Sequence, residues 1–431
     1  MENNENIVII IMDALRPKNL SLFGYEKETD KNLKKIAEEG ILFREFYSVS
    51  NSTFPSITSL FTGQYPNNHG ILHQAPYATE EEYEKIENKK FWLTNFLKEK
   101  GYRNIAIDWV GLWFKEGFDY YGERKEAFYK KFTKNTIARK ILLNMPSWAY
   151  KFGKGFVKKK NESLFPSAKE MVDLAIYQLK ESKKLNKPSF LFMHFEDTHF
   201  PYPNVPNPEL SGEEDIEKIL ESIKSSSQRE YFKKRIADIE LKSIKDMKKK
   251  YDLAIETIDK EIGRLMDFLK ANGEWENTMF IVLSDHGDSL DEHEIYFSHA
   301  GLFDESVHVP LIMKIPGLEK KEINELVQTV DIAPTILDRF GEKMKGLDGK
   351  SLLPLIKSGK AIRNKVFLFD GLAENIKAVR TKKRKLIVGD SKCNLCKSNH
   401  HTGKEEYDLE RDPKELNNIY SEKSELEGYF K

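Results

Sequence analysis

The chain has 431 residues, with 69 Lys+Arg balanced by 69 Asp+Glu, 39% hydrophobic and 12% aromatic. That apolar content supports a sizeable core and excludes wholesale disorder, and the length fits one large unit plus a smaller one. Zero formal charge gives no global pull toward nucleic acid, two cysteines exclude a disulfide scaffold, and no apolar run has the length of a membrane span.

The first apolar stretch, residues 7–12, is short and preceded by Glu2 and Glu5, the wrong sign for a signal peptide, so a cytoplasmic, soluble protein is expected. Within it Ile7-Val8-Ile9-Ile10-Ile11 is a near-continuous β-branched run, as in a strand buried on both faces. Helical patterns follow over 29–39 and 91–100, then a strand over 104–110, a helix over 168–180 and a strand over 190–195. A helix over 251–271 precedes strands at 279–283 and 309–314, and a last helical pattern covers 325–340. This alternation predicts an α/β fold, a mostly parallel sheet flanked by helices. Residues 1–340 read as the catalytic domain, with helical insertions at about 115–165 and 205–250. Short strands at 366–369, 377–379 and 385–388 and a polar tail make 341–431 a small C-terminal α+β subdomain.

Polar residues cluster at the carboxyl ends of the predicted strands, where parallel sheets place functional loops. Asp13 follows the first strand, placed either to bind a cation or to cap a helix. Thr53, two residues before Pro55 at a helix start, lies where backbone amides and the helix dipole favour anions. It is placed to cap that helix or to act as a metal-activated nucleophile. Asp285 and His286 end the 279–283 strand and can converge on one ion, a donor pair suited to zinc or manganese and less to magnesium or calcium. Five of the ten histidines, His194, His199, His286, His293 and His299, fall in two short loops rich in acids, with Asp197 among them.

Taken in order, Asp13-Ala14-Leu15-Arg16, residues 33–43, Thr53 to Gly70, 251–269, 277–288, His299 to Pro310 and 330–335 resemble the alkaline phosphatase/sulfatase superfamily, close to its sulfatase-like branch. Asp348 to Leu352 and 407–413 extend the likeness. The resemblance implies an alkaline-phosphatase-like fold and a metal-dependent ester hydrolase holding one or two divalent ions. Asp13, Asp285 and His286 match the ligands of the main metal, with Thr53 at the nucleophile position beside it. Asp197, His199 and His299 fall where members place a second metal site or residues that hold the transferred group. His199 and His299 are also the candidate acids for the leaving group, and Arg16, His194 and His293 the candidate substrate contacts. Sulfatases of the family carry Cys or Ser, matured to formylglycine, before a Pro-Ser-Arg motif. Here the aligned stretch is Thr53-Phe54-Pro55-Ser56-Ile57. Threonine cannot become formylglycine, so a phosphodiesterase or phosphatase working through a covalent threonine intermediate is expected. A sulfatase, a phosphotransferase acting on lipid or glycan, and an inactive binding module are the alternatives. The expected substrate is a small-molecule or head-group ester, with no nucleic-acid partner.

Two further stretches stand apart. Residues 124–160 are rich in Lys and Arg interleaved with aromatics, with the single acid Glu126, and fit a solvated helical insertion or peripheral contact with an anionic membrane. Cys393, Cys396, His400 and His401 offer four soft ligands within nine residues, a candidate structural zinc clip.

Overall fold

The computed structural model describes residues 5–75, 77–87, 91–108, 110–122, 166–237 and 239–430. The basic aromatic segment 124–160 lies outside the described residues, so the membrane-contact expectation lies there too.

The strands that frame the molecule are, in chain order, β1 (Asn6–Met12), β2 (Ile41–Phe43), β3 (Phe46–Tyr47), β4 (Arg103–Ile107), β5 (Tyr120–Gly122), β6 (Ser189–Phe195), β7 (Thr278–Leu283), β8 (Leu311–Lys314), β9 (Lys321–Ile323) and β10 (Val327–Gln328). Eight of them form one sheet in the order β5-β4-β6-β1-β7-β8-β2-β9, while β3 pairs with β10. β1 runs parallel to both β6 and β7, and β4 parallel to β6. β8 is antiparallel to β7 and to β2, so the sheet is mixed on that side.

The β-branched run of β1 explains its central place, because alternate side chains serve opposite cores. Val8, Ile10 and Met12 pack on one face of the sheet, with Ile36 of α1 (Lys31–Glu38). Ile7, Ile9 and Ile11 pack on the other, with Ile57 and Phe61 of α2 (Thr53–Thr62) and Leu93 of α3 (Leu93–Glu99). The first face is completed by Val172 of α4 (Ala168–Lys184) and Ile258 of α5 (Ile244–Ala271). The second adds Ile336 of α6 (Ile332–Arg339) and Leu355 of α7 (Leu353–Ser358).

A separate four-stranded antiparallel sheet follows, in the order β11 (Val366–Phe369), β12 (Lys377–Arg380), β13 (Arg384–Gly389), β14 (Gly403–Asp408). Its Leu368, Ala378 and Ile387 pack against Leu302, Phe303 and Val307. Thus the sheet stands behind the loop that follows β7. No described helix is long and apolar enough to cross a membrane.

The central strands fall where the β-branched runs place them. Three differences have clear causes. Residues 327–328 pair as a strand with β3, so the helical pattern read from 325 begins only at Ile332. The short strands β2, β5 and β9 are too brief to announce themselves by periodicity. Gly403–Asp408, read as polar tail, is a strand because β13 offers it a partner edge.

Candidate active site

Register builds the site. Ile11 of β1 faces His194 of β6 and Leu283 of β7 across the ladders. The turns that follow these strands therefore emerge side by side, at spacings of about 4.8 Å. Asp13 extends the β1 ladder by one bond, donating its N–H to Phe195 O at 2.9 Å. The next residue, Ala14, takes a left-handed φ of 57°, a conformation that a non-glycine residue holds only when its surroundings impose it. Here Tyr251 Oη donates to Ala14 O at 2.9 Å, and Ser284 Oγ accepts from Leu15 N at 2.9 Å.

Asp13, Asp285 and His286 bring one ligand atom each to within 4.8 Å of one another, and all three are buried. His286 Nε2 lies 3.4 Å from Asp13 Oδ1 and 3.6 Å from Asp285 Oδ2. Both oxygens of Asp13, and Oδ2 of Asp285, are buried without a hydrogen-bond donor. Buried carboxylates in that state need a cation. In the protein alone, histidines supply the charge. Burial works against ionising Asp13, but His199, His194 and His286 outweigh it and hold the carboxyl far below its usual range. Burial and the charge of Asp13 push Asp285 upward. His286 is raised, since Asp285 and Asp13 overcome its burial. A divalent ion fits these donors.

Thr53 opens α2 after Ser52, whose backbone is extended at φ −147°. Pro55 falls in the first turn, where a missing N–H is harmless. Thr53 Oγ1 lies 3.3 Å from His286 Nε2, and its hydroxyl works to lower the Asp285 carboxyl against the upward push of burial. Ser52 Oγ turns instead to Asn51 Oδ1 at 3.3 Å. Thr53, not Ser52, therefore presents its hydroxyl to the cluster. The expected cradle of first-turn amides is thinner than the sequence implied. Phe54 N donates to Gln74 Oε1 at 2.9 Å, and Pro55 has no N–H to give.

Three histidines share one arrangement. His286 Nδ1 donates to Gly287 O at 2.8 Å, His199 Nδ1 to Phe200 O at 2.9 Å, and His299 Nδ1 to Asn51 O. Each ring is thereby fixed in the tautomer whose Nε2 carries a lone pair. The rings form a group, His286 and His299 stacked at 4.3 Å and His199 at 6.1 Å from His299. Burial lowers His199, and burial with His286 and His199 lowers His299 well below the ordinary value. Both therefore hold a second proton less readily than a free imidazole.

Other expected site residues fall elsewhere. His194 is not a substrate contact. It is wholly buried between Asp108 (Nδ1–Oδ1, 2.9 Å) and Asp13 (Nε2–Oδ2, 3.4 Å), and these acids push its pKa well up against burial. It positions Asp13. Arg16 is a strut rather than a substrate hook, since its buried guanidinium bonds Asn19 at 2.7 Å, Glu292 at 2.8 Å and Asp288 O at 3.3 Å. His293 lies apart, stacked on Phe303 at 3.6 Å and 3.3 Å from Glu305, in a second cluster with Glu415. Lys18 and Lys385 pair with those two acids, so that cluster is an ion network. Asp197 is buried, accepts from Asn204 at 3.3 Å, and is pushed up to about 7 by burial. Among the described residues it does not join His199 and His299 in a three-ligand group.

Cys393, Cys396 and His400 do converge. His401 does not join them, because its Nδ1 pairs with Glu405 at 2.8 Å and its Nε2 accepts from Leu302 N at 2.8 Å.

Two residues of the site were not singled out from sequence. Asp108 sits just past β4, where only its fold partner His194 reveals a role. Asp288 is buried with Oδ1 unpartnered and pushed up to about 7 by burial, against the pull of Arg235, His286 and Arg16. Its place two residues after His286 was the available signal.

The doubly wound sheet, the buried Asp–Asp–His group and the hydroxyl beside it define a metal-dependent ester hydrolase of the alkaline phosphatase/sulfatase superfamily. The Sulfatase family model matches residues 5–342, and the chain belongs to that family. A model for the C-terminal part of N-sulphoglucosamine sulphohydrolase matches 291–428. The chain is 24% identical to the extracellular sulfatase SULF-1 homolog of Drosophila melanogaster over 84% of its own length, but spans only 32% of that protein. It is 25% identical to an arylsulfatase of Clostridium perfringens, over 96% of this chain and 90% of that one. The phosphonate monoester hydrolase of Agrobacterium radiobacter shares the fold at a TM-score of 0.64 and 19% identity, over 97% of this chain and 92% of that chain.

Proposed function

We propose that the protein hydrolyses phosphoric esters, as a phosphodiesterase or phosphatase, with Thr53 as covalent nucleophile. The observation that carries this reading is the residue whose hydroxyl reaches the centre. Thr53 Oγ1 meets His286, while Ser52 is turned away and Ile57 stands where the sulfatase motif has Arg. Asp13, Asp285 and His286 would hold a divalent cation, zinc or manganese by the character of the donors, which when bound acidifies a neighbouring hydroxyl and screens phosphoryl oxygens.

Thr53 Oγ1 releases its proton to solvent and attacks phosphorus in line. The new Oγ–P bond forms as the bond to the alcohol breaks. An anionic ester raises the pKa of His199 and His299, so that one of them carries a proton on Nε2 to the departing alkoxide. Water then attacks the phosphothreonine and that histidine takes the water's proton; the Oγ–P bond breaks, phosphate leaves, and Thr53 Oγ1 takes a proton from solvent to restore its hydroxyl. The substrate in this reading is a small-molecule or head-group ester. A cytoplasmic setting suits its two unpaired cysteines.

Sulfuric ester hydrolysis is the second reading, favoured by the sulfatases among the relatives and by the N-sulphoglucosamine sulphohydrolase match. Nitrophenyl phosphodiester, phosphomonoester and sulfate substrates, offered to metal-stripped protein with each cation restored, separate the two. Phosphoester turnover that Thr53→Ala abolishes, with metal content unchanged, supports the proposal. Sulfate turnover without phosphate turnover overturns it.

A further inference from the structure

Cys393, Cys396 and His400 lie in the connection between β13 and β14 and belong to no step at Thr53. We propose that they form a structural zinc site, with Cys393 Sγ, Cys396 Sγ and His400 Nε2 as protein ligands. These three atoms lie within 4.8 Å of one another, and Cys396 Sγ is 2.9 Å from His400 Nε2. Both cysteines are buried, unpaired thiols.

The chain around them is shaped to bring the two sulfurs to one point. Lys392 and Asn399 form an antiparallel bridge, and inside it Cys393 N donates to Ser398 O at 2.9 Å. Lys397 N returns to Cys393 O at 2.8 Å, with Lys397 itself left-handed at φ 60°. The reversal directly after Cys396 turns His400 back over the thiols. Two sulfurs and an imidazole are soft donors that select zinc over magnesium or calcium. His401 is engaged by Glu405 and Leu302, so the fourth position falls to water or another small donor.

The location gives the site a purpose. Asn394 N donates to Leu372 O at 2.6 Å. The adjoining Asp370 Oδ1 accepts from Leu372 N at 2.8 Å and from Asn51 Nδ2 at 3.0 Å. Asn51 in turn accepts from Gly371 N at 2.8 Å, and its carbonyl orients His299. On the other side Ser398 Oγ bonds Ser225 at 2.6 Å and Ser227 at 2.8 Å. The zinc would fasten the C-terminal sheet to the loop behind the nucleophile. This assignment is independent of which ester the enzyme cleaves.

The test is elemental analysis of zinc-loaded full-length protein, comparing the unaltered chain with Cys393→Ser/Cys396→Ser and with Asp13→Asn. The cysteine variant is expected to lose one zinc equivalent that Asp13→Asn retains. Cobalt-loaded unaltered protein and Asp13→Asn should show thiolate-to-cobalt charge-transfer absorption, absent from the cysteine variant. Should the cysteine variant fail to fold, alkylation of the unaltered protein serves, with zinc protecting both thiols. Equal alkylation with and without zinc, equal zinc in the cysteine variant, or a Cys393–Cys396 disulfide in zinc-free protein overturns the proposal.

Discussion

His69 offers a direct measure of how tightly the nucleophile helix is held. Its ring is buried beneath α2, with Nε2 2.9 Å from Ser59 Oγ and Nδ1 accepting from Ile71 N at 3.1 Å. A second ring proton would have to sit on Nδ1, facing the Ile71 N–H. Burial accordingly lowers its pKa from 6.5 to about 3, a bond to the Pro55 carbonyl opposing only in part. Below about pH 6.5 the unfolded chain binds a proton that the folded chain refuses, so this residue removes stability as pH falls toward 3. At about pH 5, some 1.5 units below the unfolded value, the loss is about 2 kcal/mol, at about 1.4 kcal/mol per unit. His69→Asn keeps an acceptor for Ile71 and has nothing to titrate. Urea unfolding of both proteins at about pH 7.5 and about pH 5 should show the unaltered chain losing about 2 kcal/mol more than the variant. Equal losses would mean that His69 accepts its proton in the folded state, and would refute the argument.

Gly287→Ala should damage the centre without touching a ligand, because the added Cβ would sit 2.1 Å from the Glu305 carbonyl oxygen. The displaced Asp285–His286 turn is expected to cost about 100-fold in kcat/KM, read in steady-state kinetics alongside metal content. Asp108→Asn leaves His194 with one carboxylate instead of two, and should weaken cation binding by about 10- to 100-fold, measured by manganese titration calorimetry. Unchanged affinity would remove Asp108 from the site.

The centre of the fold was legible because β1, β6 and β7 are dominated by unbroken apolar runs, a pattern that buried parallel strands share with little else of that length. The metal group was legible for a related reason, since Asp13, Asp285 and His286 immediately follow such runs. Long-range pairing was not. Nothing near Asp108 in the chain announces a histidine 86 positions away. Arg16 reads as a free cation beside Asp13 until the fold brings Glu292 to it. His400 and His401 are equivalent in the sequence, and only the position of Glu405 and Leu302 decides which of them turns toward the cysteines. The antiparallel course of β8 was hidden as well, because burial pattern carries no direction.

The turns that carry Asp13, His199 and the Asp285–His286 pair leave from β1, β6 and β7, and each of these strands is hydrogen-bonded along both edges. Amides so placed exchange with solvent only when the whole sheet opens, not through fraying or local breathing. Asp13, Asp285 and His286 thus share the fate of the most protected backbone in the molecule. Heat or denaturant should leave activity intact until the cooperative unit fails, and then remove it together with the fold. Tolerance for sequence change is correspondingly displaced to the outer connections, where a loop can be exchanged without loosening the strands that carry the chemistry.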